Sequence, residues 1–240
     1  MTQAKGVNVR QIEQHLQSLG NPQDAEQQAR FFKTGPGQYG EGDRFLGIRV
    51  PVLRKLARQY SALTLEQGLE LLSSPLHEQR LLALLILIHL YQQADEPEQG
   101  RIYSRYLKHT RYINNWDLVD VSADKIVGHW LYHHPQDRTM LQQLARSHDL
   151  WRRRIAVMAT FYFIRQSDFR HTLNLAKLLL SDKHDLIHKA TGWMLREVGN
   201  RDRATEQAFL DKYVSRMPRT MLRYAIEKFP QGLRQKYLKR

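Results

Sequence analysis

The sequence predicts an all-α protein, a curved solenoid of about six stacked helix pairs, and three observations carry that prediction. Helical patterns follow one another from Pro51 to the C-terminus with hardly any strand-like alternation. Short breaks rich in Pro, Ser, Asp or Gly separate these patterns. Every second helix also carries a small residue about seven positions after its start, as a repeated structural unit would.

The repeat recurs every 34 to 39 residues, with alternate helices beginning near Leu76, Asn115, Asp149, His184 and Pro218. Their small residues are Ala83, Ser122, Ala156, Gly192 and Ala225. A small side chain at one place in each helix lets neighbouring helices approach closely. We therefore expect a right-handed stack in which the second helix of each pair lines the concave side. No shift in composition marks a boundary, so residues 1–240 are predicted to form a single domain.

The N-terminal part predicts two helices before the first long loop. The first covers Val7 to Leu19 and stops at a Gly-Asn-Pro break, and the second runs to about Lys33. Phe31 and Phe32 are adjacent at its end, and two neighbouring rings cannot both face one core. Either one ring is left for a ligand, or the pair bridges two neighbouring helices.

Gly35 to Asp43 is the glycine-rich stretch of the chain. It lacks the Gly-Lys-Ser/Thr ending of a phosphate-binding loop, and no predicted strand precedes it, so it is no dinucleotide fingerprint. It predicts a loop that either touches a ligand or reverses the chain. Beyond it, Pro51 suits the first position of a helix. The later breaks fall near Ser73–Pro75, Asp95–Pro97, His134–Pro135, Ser147–Asp149, Asp182–His184, Met217–Pro218 and Phe229–Pro230.

The charge of the chain points to a polyanionic partner. Lys and Arg number 37 against 24 Asp and Glu, which gives a formal charge of +13. Basic residues cluster between Arg101 and Arg111, at Arg152 to Arg154, and from Arg216 to Arg240. Since no long amphipathic tail with a continuous apolar face accompanies them, nucleic acid is favoured over a membrane surface.

Several classes of protein are excluded by composition. The chain has no cysteine, which excludes disulfides, thiolate catalysis and cysteine-based zinc sites. Its longest apolar run, Leu81 to Ile88, is too short to span a bilayer, and no apolar signal segment follows Met1. We therefore expect a cytoplasmic protein without a membrane partner.

The stretch from Asn114 to Trp130 places three carboxylates in this basic chain. On a helix advancing about 100° per residue, Trp116, Asp120 and Asp124 form a stripe at i, i+4 and i+8, away from the packing side. An indole and a carboxylate would then share a face that the core does not need.

A second interpretation is that the acids of this stretch only complement the helix dipole. Asn115 would then be the N-cap, with Asp117 and Asp120 as first-turn acids. Asp117 lies about 100° from the Trp116 direction, and for it we expect mainly this role, worth roughly 0.3 to 1 kcal/mol of stability.

The repeat layout places further candidates on the predicted concave helices. These are Arg152 to Arg154, Lys189 with Trp193, and Arg223. Basic residues and indoles would share one groove around the acidic spot at Asp120. Such a groove is suited to a nucleic-acid backbone.

At this point the chain resembles the DNA alkylation repair family of HEAT-like-repeat proteins, which includes the AlkD-like DNA glycosylases. The resemblance covers nearly the whole length. It is carried by Ala29-Arg30-Phe31, Phe45-Leu46-Gly47-Ile48, Trp116-Asp117-x-x-Asp120, Trp151-x-x-Arg154-x-Ala156 and the run from His188 to Glu197.

The resemblance implies a glycosylase that removes cationic N3- and N7-alkylated purines from double-stranded DNA without metal or cofactor. It implies that Asp120 is the catalytic aspartate, that Trp116 and Trp193 flank the damaged nucleotide, and that Arg154 holds the DNA backbone. We expect a monomer whose other DNA-binding residues are Phe31, Lys189, Arg153 and Arg223. Two features depart from the family pattern: Phe31 replaces a tyrosine, and the loop from Gly35 to Asp43 is longer.

The chemistry agrees with these roles. An alkylated purine is already a cationic leaving group, so the enzyme has to stabilise the oxocarbenium-like sugar rather than protonate the base. Asp120 can do so electrostatically and can position the attacking water. Neighbouring arginines would keep it ionised.

Three other functions compete with excision. A non-catalytic module could use the same groove for damaged or branched nucleic acid, and a HEAT-like scaffold could bind protein. A metallohydrolase is the third, since His184 and His188 stand at i and i+4 like a zinc pair, although a general-base Glu and a third ligand are missing.

Overall fold

The structure is a computed structural model that describes residues 8–239. Within this range it is helical, and the β structure is limited to one isolated parallel bridge between Arg44 and Leu76. The all-α prediction is confirmed. Of the first predicted helix, Val7 lies outside the described residues.

The α-helices are α1 (Val9–Ser18), α2 (Pro22–Phe31), α3 (Val50–Gln59), α4 (Leu65–Leu72), α5 (His77–Gln93), α6 (Glu96–Lys108), α7 (Trp116–Ala123), α8 (His129–His133), α9 (Thr139–Ala145), α10 (Leu150–Arg165), α11 (Arg170–Leu178), α12 (Asp185–Gly199), α13 (Arg203–Tyr213), α14 (Arg219–Ala225) and α15 (Gln231–Leu238). A π-helical turn, Asp124–Gly128, connects α7 to α8. Among residues 8–239, no helix is long and apolar enough to cross a membrane.

The predicted repeat positions are confirmed, because α5, α7, α10, α12 and α14 each start immediately after the residue expected. The small residues of these helices are all buried. Gly192 shows why size matters there: a Cβ at this position would lie 2.4 Å from the Met221 carbonyl oxygen and 2.6 Å from Cβ of Tyr224. Only glycine lets α12 and α14 approach this closely.

The described residues divide into two compact units, an N-terminal unit that ends at Ser122 and a C-terminal unit that begins at Ala123. In the N-terminal unit, α3 and α4 both pack against α5, whose side chains are buried along most of its length. In the C-terminal unit, α10 packs against α9, α11 and α12, and α12 packs against α13 and α14. That residues 1–240 act as a single domain stays a prediction.

A buried carboxyl group lies between α12 and α13. Glu206 is 1% exposed, and its Oε1 has no hydrogen-bond partner among the described residues. Gly199 makes room for it, since a Cβ there would lie 1.6 Å from Oε2 of Glu206. Burial raises the pKa of Glu206 to about 8, against the opposing charges of Arg203 and Arg196.

Glu206→Gln is expected to stabilise the C-terminal unit at alkaline pH. Because the folded pKa lies above the unfolded value, the wild type loses stability as pH rises from about 4.5 to about 8. Removing the charge should therefore raise the free energy of unfolding at pH 8 by up to about 4 kcal/mol, with little change at pH 4. Urea denaturation at both pH values measures this, and an equal gain at both would contradict it.

Candidate functional site

An aromatic cluster in the N-terminal unit brings together the end of α2, the following loop and the start of α7. Phe32 lies at its centre, with its ring centroid 5.1 Å from that of Phe45 and 5.2 Å from that of Trp116, both stacked. Phe31 contacts Phe32 and Trp116 edge-on and is 65% exposed. Of the two adjacent rings, Phe32 is therefore packed among other rings and Phe31 is presented to solvent.

The loop between α2 and α3 is shaped by close backbone approaches. A Cβ on Gly40 would lie 2.5 Å from the Phe32 carbonyl oxygen, and one on Gly47, whose φ is +82°, would lie 2.1 Å from the Asn21 carbonyl oxygen. The carboxylate of Glu78 accepts three successive backbone N–H groups, those of Leu46 to Ile48, at 2.7 to 3.1 Å. This end of the loop is thus fixed onto the first turn of α5.

His77 joins the loop to α7 through two carboxylates. Its Nδ1 lies 2.7 Å from Oδ2 of Asp43, and its Nε2 lies 2.8 Å from Oδ2 of Asp117. Arg80 donates from Nη2 to the other oxygen of Asp43 at 2.6 Å. The side chains of His77, Asp43 and Arg80 are at most 5% exposed, and that of Asp117 is 16% exposed.

The electrostatics of this group favour the charged histidine. Burial alone would lower the pKa of His77, but the charges and hydrogen bonds of Asp117 and Asp43 outweigh it and raise the pKa to about 9. Burial would raise the pKa of Asp43, but His77 and Arg80 hold it below its usual value. His77 is therefore an imidazolium, and Asp43 a carboxylate, at neutral pH.

The role predicted for Asp117 is wrong in one respect. Asp117 does lie in the first turn of α7, but its carboxylate binds the His77 imidazolium instead of only facing the helix dipole. Asn115 precedes the helix as expected, and its carbonyl accepts the N–H of Val119. Its side chain is fully buried, with Oδ1 accepting the N–H of Trp116 at 2.8 Å.

Two of the three residues of the predicted stripe, Trp116 and Asp120 but not Asp124, lie partly exposed on one side of α7. Trp116 and Asp120 are partly exposed and one turn apart in α7, so they project from the same side of that helix. Asp124 is 3% exposed, and its carboxylate binds Arg165 at 2.8 Å and Lys125 at 3.2 Å. The π-helical turn that begins at Asp124 packs against α10, whose Arg165 covers the carboxylate.

In the C-terminal unit, Trp193 is partly buried on α12. Its Nε1 donates to Oε1 of Glu197 at 3.2 Å, and its ring lies 6.3 Å from that of Phe161. The Arg165 guanidinium lies 4.8 Å from the centre of the Phe161 ring. Because Met194 and Leu195 are fully buried and supply the core, Trp193 keeps part of its indole at the surface.

Two of the arginines predicted to bind DNA form hydrogen bonds within the protein instead. Arg154 is 5% exposed and donates from Nη1 to the Leu186 carbonyl at 2.6 Å, which ties α10 to α12. Arg153 is 16% exposed and donates from Nε to Oδ2 of Asp182 at 2.7 Å. Arg152, the first of the three consecutive arginines, is the exposed one. The prediction of Arg153 and Arg154 as surface ligands thus does not fit their burial.

The remaining predicted cations reach the surface of the C-terminal unit. Arg223 is exposed on α14. Lys189 is 39% exposed and pairs through Nζ with Oδ2 of Asp185 at 2.7 Å. Both can meet a phosphate, although Lys189 would have to exchange one anionic partner for another.

The histidine pair that suggested zinc is occupied by backbone groups. His184 is the N-cap of α12 and accepts the N–H of Leu186 at Nδ1, while Nε2 of His188 lies 2.6 Å from the Asp182 carbonyl oxygen. No group of three or more His, Asp or Glu with the arrangement of a metal site occurs among the described residues.

Sequence reasoning missed the group formed by His77, Asp43, Glu78 and Arg80. These residues come from α5 and from the loop between α2 and α3, and no spacing rule links them to Asp117, which lies 40 positions after His77. The one local signal in the sequence was Asp43, a carboxylate at the end of the glycine-rich stretch.

Comparison with known proteins gives the family. The family model of the DNA alkylation repair enzymes matches residues 12–229. A solved structure described as a predicted DNA alkylation repair enzyme from Enterococcus faecalis superposes with a TM-score of 0.69 at 16% identity, covering 88% of this chain and 97% of that chain. At that identity the likeness shows a shared fold. No curated protein matches. Since the family model spans most of its length, the chain belongs to the DNA alkylation repair enzyme family.

Proposed function

We propose that the protein is a DNA glycosylase that excises cationic N3- and N7-alkylated purines from duplex DNA by hydrolysing the N-glycosidic bond. The observation that carries this proposal is the pairing of Trp116 and Asp120 on one side of α7, beside the outward-facing ring of Phe31. Membership of the alkylation repair family supports DNA as the substrate. The formal charge of +13 supports binding to its phosphates.

Asp120 has the central chemical role in this proposal. The base leaves as a neutral molecule because it was cationic before the bond broke, so no general acid is required. Positive charge moves to the sugar in the transition state, where an ionised carboxylate stabilises it and orients the attacking water. The step consumes one water, whose oxygen bonds to the sugar carbon, and releases one neutral free base and one proton from that water, leaving one abasic site in the DNA.

The aromatic side chains hold the lesion. A cation over an indole face gains roughly 0.5 to 2 kcal/mol, which favours an alkylated purine over an unmodified one at Trp116. Stacking on Phe32 fixes the Trp116 ring in advance. Phe31 offers an exposed ring for stacking without a hydroxyl. Trp193, on the C-terminal unit, is proposed as the second indole.

The exposed cations of the C-terminal unit are proposed to hold the phosphates. Arg152, Lys189 and Arg223 take this role, whereas Arg153 and Arg154 stabilise the helices that carry them. If about five phosphates are neutralised in all, log K for DNA should fall with log salt at a slope of about −4 to −5.

Fluorescence anisotropy with a labelled duplex between about 50 and 200 mM salt measures that slope. Arg223→Gln should make it shallower by about one and should weaken binding to all sequences alike. A flat salt response of the wild type would refute phosphate binding.

The direct test of the proposed function is incubation with duplex DNA that carries 7-methylguanine. Free base and abasic sites should both appear in equal amounts, with an unmodified duplex as the matched control. Tight, salt-dependent binding without release of base would instead identify a non-catalytic module for damaged or branched nucleic acid.

A further inference from the structure

We infer that His77 is a positioning residue: its charged imidazolium ties the loop at Asp43 to the first turn of α7 and so sets the orientation of the Trp116 indole. This inference rests on the proposed function and adds to it a group whose side chain is only 2% exposed. It also makes the orientation of the indole depend on one proton.

Hydrogen bonding alone requires that proton. The two ring nitrogens of His77 lie 2.7 and 2.8 Å from carboxylate oxygens, which accept hydrogen bonds and have no proton to donate when ionised. Both nitrogens must then carry hydrogen. A neutral imidazole has one N–H, so it could satisfy Asp43 or Asp117 but not both.

The charges around His77 balance only while it is protonated. Asp43 faces it from the loop and Asp117 from α7, and Arg80 reaches Asp43 from the next turn of α5. Glu78, the neighbour of His77 on α5, turns to the backbone N–H groups of Leu46 to Ile48. Two carboxylates thus meet two cations, and loss of the His77 proton leaves one buried negative charge uncompensated.

The same imidazolium is in direct contact with the aromatic cluster. Its ring is stacked 4.4 Å from Phe45 and lies 5.1 Å from Phe32, and Phe32 is itself stacked on Trp116. The first turn of α7 is therefore held at two adjacent residues, by the Asp117 carboxylate on His77 and by the Trp116 ring on Phe32. Asp120 lies one turn further along the same helix.

The experiment is fluorine NMR of protein labelled with 5-fluorotryptophan, in which Trp116→Phe assigns one of the four tryptophan signals. In the folded wild type, the Trp116 signal is expected to shift as pH rises, with a midpoint of about 9 that matches the titration of the His77 imidazole. In His77→Gln the signal should no longer titrate. A Trp116 signal that stays constant while His77 titrates would overturn the inference, and this titration of the wild type does not depend on whether His77→Gln folds.

Excision supplies the second readout. His77→Gln should lower the single-turnover rate at pH 7 about tenfold and change the dissociation constant for DNA by less than about threefold, because no DNA contact is removed. His89→Gln, on the same helix and outside the cluster, is the matched control and should leave both values unchanged. A folded His77→Gln with the full wild-type rate would also overturn the inference. If the wild type releases no base at all, the glycosylase proposal fails, while the fluorine titration still decides the link between His77 and Trp116.

Discussion

Asp120→Asn is expected to lower the rate of alkylpurine excision about a hundredfold or more and to leave DNA affinity unchanged or raised. The sugar becomes cationic only in the transition state, so removing the carboxylate charge costs several kcal/mol more there than in the ground state. Binding does not suffer, because an anion close to DNA phosphates weakens affinity. Single-turnover kinetics and anisotropy on the same 7-methylguanine duplex separate the two effects.

Asp95→Asn is the control for that experiment. It removes the same charge from the N-terminal unit, and asparagine caps a helix about as well as aspartate, so the N-cap of α6 is retained. Full activity of Asp120→Asn, with an active wild type, would remove Asp120 from the mechanism. Equal losses in the two variants would mean that net charge was being measured.

Asp117→Asn is expected to lower the free energy of unfolding at pH 7 by about 3 kcal/mol, because it breaks a buried ion pair. Asparagine keeps an oxygen that can accept from Nε2 of His77, but the negative charge that balances the imidazolium is lost. Since the folded pKa of His77 lies above the unfolded value of 6.5, its contribution is complete below about pH 6.5 and is lost as pH rises through about 9. The substitution should therefore cost less at pH 10 than at pH 7.

Urea denaturation at the two pH values tests this expectation against a matched acid. Glu66 is also a first-turn acid, on α4, but its side chain is 62% exposed. Glu66→Gln should cost less than about 1 kcal/mol, with little difference between pH 7 and pH 10. A loss of that same small size in Asp117→Asn would show that the contact with His77 contributes little.

The repeat was predictable because its signals are local. Each alternate helix starts after an identifiable break or cap, such as Asp149 or Pro218, and presents a small residue where its neighbour approaches. Such patterns can be found in a single sequence because they repeat along it. The exposure of Phe31 was predictable as one of two alternatives, since adjacent rings on a helix point in different directions.

The partners of charged side chains could not be predicted in the same way. Asp43, His77 and Asp117 meet across a loop and two helices, and no spacing rule brings them together. Arg154 reads as a surface cation, yet its long side chain reaches inward to the Leu186 carbonyl on α12. Asp124 likewise reads as part of an exposed stripe, yet its carboxylate is buried against Arg165 of α10.

The loop after α2 has a consequence for engineering. Near its tip, the N–H groups of Gly35 and Gly37 bond to the side chains of Gln38 and Glu41, within the loop itself, and the space beside Gly37 is open. Its base is closed at Gly40 and Gly47, where backbone leaves no room for any side chain. Extra residues or a reporter peptide inserted between Pro36 and Gly37 would therefore extend into open space. The same insertion at Gly40 would displace Phe32, on which Trp116 is stacked, and at Gly47 it would displace the start of α2.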